Sequence, residues 1–117
     1  MAASSAAERR RLADEALHLF NTGQFWEAHE ALEGIWRPLD DGPEALAIQG
    51  LIQAAAALLH QSRGNSHGTR VVGNAALEKL DGPQLPSVEF ETVNFRKQLA
   101  LALQVKGPAP ILQLRNT

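Results

Sequence analysis

The chain has 117 residues, a net charge of −2 and an apolar fraction of 44%. That length suits one domain with a real core, and that composition excludes a disordered chain. With no cysteine there is no disulfide, thiol nucleophile or cysteine-held metal, which fits a reducing compartment.

The near-neutral charge gives no drive toward nucleic acid, and no row of aromatics offers a single strand a stacking platform. No stretch reaches the length of a membrane span. The run from Ile48 to Leu59 is too short and carries Gln49, Gly50 and Gln53. Arg9-Arg10-Arg11 is followed by no apolar run, so it reads as neither a secretory nor a twin-arginine signal. A cytoplasmic protein is the expectation, with the arginine triplet solvated on the first turns of a helix.

In chain order, Ser5-Ala6-Ala7-Glu8 reads as a capping box that opens a helix running to about Phe20. Leu12, Ala16, Leu19 and Phe20 form its apolar stripe, and His18 lies off that stripe. Asn21-Thr22-Gly23 stops it, glycine suiting the left-handed position after a helix. A second helix follows from about Gln24 to Arg37, ended by Pro38. The short connection makes the two helices antiparallel neighbours. A third helix starts at Pro43 and runs to about Ser62; it is apolar nearly all round, so it should be the most buried. Arg63-Gly64-Asn65 closes it, and a fourth helix runs from Asn65 or Ser66 to near Leu80, with Val71, Val72, Ala75 and Ala76 on its buried side. Gly68 and Gly73 weaken that helix but permit close packing.

The stretch from Asp81 to Pro86 breaks the pattern. Ser87 reads as the cap of a fifth helix, with Glu89 and Glu91 in its first turn, Leu99, Leu101 and Leu103 on its apolar side, and an end at Lys106. The pattern therefore predicts an all-α, compact single-domain bundle of about five helices over residues 1–117. It is built from two antiparallel helix hairpins plus a C-terminal helix, with extended tails at 1–4 and 109–117. The turns at Gly23 and Gly64 echo each other, and the first looks somewhat like a tetratricopeptide hairpin.

The second helix carries the most informative chemistry. At roughly 100° per residue, Trp36, Phe25 and Leu32 flank His29 on one side, while Glu33 lies about 40° and Trp26 about 60° to the other. Glu27 should be solvated, Glu30 intermediate, and Glu33 partly buried within reach of His29. A carboxylate in an apolar wall needs a partner, and the i, i+4 spacing supplies one. On the third helix, Gln49, Gln53 and His60 fall within about 60° of one another. This polar stripe must face either solvent or the second helix, where it would meet His29 and Glu33.

These residues also carry a resemblance. Phe20-Asn21, Gly23, Phe25-Trp26-Glu27-Ala28-His29-Glu30, Leu32-Glu33 and Trp36 resemble the signature of domain of unknown function 309. Gln49-Gly50-Leu51-Ile52-Gln53, Ala55-Ala56, His60, Arg63-Gly64-Asn65 and Gly68 resemble its second block. The likeness covers about residues 10 to 80. It implies a small all-helical fold of bacteria and archaea without an established activity, and it carries no catalytic roles. Its pattern includes the positions of His29, Glu33, Gln53 and His60.

Three functional readings follow. His29, Glu33 and His60 would offer two imidazoles and a carboxylate to zinc or a similar divalent ion, with Glu30 behind them as a base. Against this, His29-Glu30-Ala31-Leu32-Glu33 has glutamate where the zinc-protease helix needs its second histidine, and the paired Glu-x-x-His motifs of di-iron bundles are lacking. Alternatively, His29 oriented by Glu33 would move a proton near neutral pH, but no nucleophile is identifiable. The favoured reading is a binding or assembly module with a His/Glu/Gln polar cluster between the second and third helices. Trp26 and Trp36 would flank a groove for a protein, a peptide, a small molecule or a second copy of the chain.

Overall fold

The computed structural model describes residues 5–104 and 107–115. Five helices account for most of them: α1 (Ala6–Asn21), α2 (Phe25–Trp36), α3 (Pro43–Ser62), α4 (Ser66–Lys79) and α5 (Val93–Gln104). Among the described residues there is no strand, only an isolated antiparallel bridge between Phe90 and Leu114. The all-α architecture read from the sequence is the one observed.

The first four helices form a sequential array in which α1 packs on α2, α2 on α3 and α3 on α4. Two equivalent turns produce it. After α1, the Gly23 amide donates to the Phe20 carbonyl and the Gln24 amide to that of Leu19. After α3, the Gly64 amide donates to the Gln61 carbonyl and the Asn65 amide to that of His60. Both are Schellman closures around a left-handed glycine, φ 80° at Gly23 and 73° at Gly64. The echo between the two sequence segments is thus an identical hydrogen-bond pattern.

Residues without bulk set the seams of the array. A side chain at Gly50 of α3 would meet Leu80 2.8 Å away, and one at Gly34 of α2 would press on Leu12 of α1. Ala54, Ala55 and Ala57 are buried, and α3 carries more buried positions than any other helix. Two residues expected inside are outside: Val71 of α4 is half exposed, and Leu101 of α5 is 64% exposed.

The C-terminal third closes over the array. Phe95 of α5 meets Phe20 of α1 edge to face at 5.4 Å, and Phe20 meets Phe25 of α2 at 5.3 Å. Such buried rings each contribute about 1.5–3 kcal/mol by removal from water.

The fifth helix starts later than expected. Ser87 does not cap it; Val88 and Phe90 are buried and Glu89 points outward between them, an extended alternation that pairs with the tail. The helix begins at Val93, where the Glu91 carboxylate accepts the Asn94 and Phe95 amides at 2.8 and 3.2 Å. Its expected end at Val105 and Lys106 lies outside the described residues, as does the tail at 1–4. The tail from Gly107 is extended and returns across the bundle. Asn21 clasps it twice, donating to the Leu112 carbonyl and accepting the Leu112 amide, each at 2.9 Å.

Arg9 corrects the reading of the arginine triplet. Arg10 and Arg11 are exposed, but Arg9 is half-buried and bridges three segments. Its guanidinium donates to Glu89 at 2.7 and 3.0 Å, to Glu44 at 2.8 Å and to the Ser87 carbonyl at 3.2 Å. The Glu89 hydrogen bonds chiefly, opposed by partial burial and aided by Glu44, hold Arg9 charged beyond its ordinary range.

Candidate functional site

The candidate residues of α2 stand where the helical spacing puts them. Ala28, Ala31, Leu32 and Ile35 form the buried side, while Glu27 and Glu30 are exposed. Glu30 is therefore further out than its intermediate expectation. His29 and Glu33 sit on the boundary, with side chains 20% and 28% exposed. Trp36 is half-buried and packs on the core, so the two indoles are not equally exposed at the surface.

The more exposed indole is Trp26. It is 53% exposed, and its ring lies parallel to the His29 imidazole, 5.3 Å between centroids and 8° between planes. The i, i+3 spacing places the two rings on adjacent turns, so each fixes the other's orientation. Beyond the stack, Glu33 lies between two nitrogen groups. His29 Nδ1 is 3.5 Å from its Oε1, and Arg37 Nη2 is 3.5 Å from the same oxygen. At that separation His29 and Glu33 are within ion-pair range but make no hydrogen bond, and Nδ1 is buried without a partner. Arg37 was not singled out from the sequence, although its i+4 spacing from Glu33 is the signal that finds it.

The polar stripe of α3 takes a different course. His60 Nδ1 is 3.1 Å from the side-chain amide nitrogen of Asn65. The ring fills the space left by Gly68, whose missing side chain would stand 2.7 Å from it. His60 thus pins the start of α4 and is not drawn to His29 and Glu33. Gln53 and Gln49, earlier on α3, are half-buried, and Gln53 Oε1 is buried without a hydrogen-bond partner.

The expected metal set is consequently not assembled. Among the described residues no group of three or more His, Cys, Asp or Glu side chains is placed to hold an ion. His29 and Glu33 are together; His60 is spent on the α3–α4 turn because glycine at position 68 admits its ring there. No described helix is long and apolar enough to cross a membrane.

Comparison with known proteins agrees with this division of the chain. The model of the family described as "Domain of unknown function (DUF309)" matches residues 13–72, which hold every candidate residue above. The chain belongs to this family. An uncharacterized protein of Aquifex aeolicus (strain VF5) is 34% identical over 101 residues, 86% of this chain. Those residues are 29% of that protein, so the chain spans less than a third of its relative's length. No solved structure matches.

Proposed function

We propose that the domain is a helical recognition module that binds a protein or peptide partner through the Trp26 face of α2. The observation that carries this is the exposed indole held flat against His29. An exposed tryptophan with its ring already oriented offers a large apolar contact at little ordering cost to a partner. Glu33 and Arg37 beside it supply a paired acid and base at the rim, suited to fixing register once the indole is covered. The Aquifex relative adds support, since there the similar segment is one part of a much longer chain.

The test starts with proteins retained from host extract by the immobilised domain, followed by titration of one purified partner. Trp26→Ala is expected to weaken that titration more than about tenfold, the loss typical of a central interface tryptophan, with an unchanged helical spectrum. Glu33→Gln is expected to fold normally and bind more weakly. If both variants bind as the parent does, the Trp26 face is not the recognition surface. If Glu33→Gln only lowers the melting temperature, the His29–Glu33 pair is scaffold.

A further inference from the structure

A cleft away from the Trp26 face, between α4 and the second half of α5, has a volume of about 640 Å³. That is within the range of small-molecule sites, roughly 300–1,000 Å³. Its floor is apolar, made by Leu77, Ala100 and Leu103. Its upper wall is polar, with Gln61, Arg70 and Asn74. Gln61 is fixed there because its amide donates to the Ala102 carbonyl at 2.9 Å, leaving its oxygen uncommitted by that bond.

The charge balance of the lining is one-sided. Among the described residues that line it, Arg70 is the one fully charged group, and none is an aspartate or glutamate. No carboxylate lies within ion-pair distance of Arg70 among the described residues. Its side-chain contact is with His67 Nδ1, at 3.3 Å, and not with a carboxylate. A guanidinium without an acid, at the rim of an apolar-floored cavity, presents a planar fork suited to a carboxylate.

We propose that this α4–α5 cleft is a second site, which takes a small organic carboxylate with an apolar body. The carboxylate meets Arg70 and Asn74, and the body rests on Leu77, Ala100 and Leu103. Nothing in this site involves α2, so it stands or falls independently of the Trp26 face.

Octanoate is the probe, with octanol as its uncharged counterpart, and backbone amide shifts of the whole chain are the readout. Octanoate is expected to saturate, to shift amides of α4 and α5, and to bind at least about tenfold more tightly than octanol. Arg70→Gln, at an exposed position, is expected to fold normally and to erase that difference. Three results would overturn the proposal. Octanoate produces no saturable shift at millimolar concentration; octanol binds as well as octanoate; or the shifts centre on α2 around Trp26. A Leu103→Ala variant, which opens the floor without touching the charge, separates the apolar contribution: octanoate binding weakens while its sensitivity to salt persists.

Discussion

The four-helix array and the segment that closes it are held by different physics. In the array, each helix touches the next in the chain, across seams set by Gly34, Gly50 and the small residues of α3. In the closing segment, contacts reach across the whole sequence: Asn21 to Leu112 spans 91 positions and Arg9 to Glu89 spans 80. Gln84 folds the connecting loop, donating to the Phe90 carbonyl and accepting the Thr92 amide, both at 2.9 Å. The lesson is that contacts between successive helices build the array, whereas the segment over it joins buried side chains such as Phe90, Phe95 and Leu112 to polar clasps between distant residues. The family match, residues 13–72, falls within the array.

The sharpest way to break this contrast is to remove a large apolar tie between the two regions. Phe95→Ala is expected to lower unfolding free energy by about 3–5 kcal/mol, measured by urea titration, because it leaves a cavity against Phe20. Gly50→Val tests the array itself. Its new methyls would collide with Leu80, and a loss of about 2–3 kcal/mol is expected in the same titration. A loss below about 0.5 kcal/mol would mean that the α3–α4 seam relaxes freely and that glycine is not what sets it.

Smaller effects sharpen the closing segment. Asn21→Leu strips both clasps from the buried Leu112 and is expected to cost about 1–2 kcal/mol. Amide exchange should quicken at Leu112 and its neighbours while α2 and α3 stay protected; uniform quickening would deny the division into two regions. Arg9→Met is expected to cost about 1 kcal/mol, a figure already reduced for the partial exposure of all three partners. Because the folded state raises the pKa of Arg9, its stabilising effect is fully present through the neutral range and is lost only as pH rises through that raised value. Added salt should weaken the parent more than the Arg9→Met variant. Least of all, Trp26→Ala should change stability by no more than about 0.5 kcal/mol, since its ring supports no core contact on which the fold depends. A loss of several times that would make the indole a structural residue and remove the reason to regard it as a docking surface.

Much of this was legible beforehand. Periodicity located four helices, glycine after helix located both hairpin turns, and the i, i+4 spacing paired His29 with Glu33. Three things escaped. Arg9 looked like one of three equivalent arginines, and only the folded chain brings Glu44 and Glu89 to it. Glu89 and Glu91 looked like a helix start, although Val88 and Phe90 carry a two-residue alternation that a strand-length reading would have caught. The surroundings of His60 stayed open between solvent and the second helix, because a helical wheel assigns a residue to a side of its own helix and not to a neighbour.

By itself, then, the amino-acid order determined the first four helices, their ends and most of the apolar side of each, because those follow from interactions within a few residues. Tertiary structure alone decided which half-buried polar groups meet. His29 kept its neighbour on the same helix, whereas His60 went to the space beside Gly68, since distance between helices depends on the bulk of every residue at the seam.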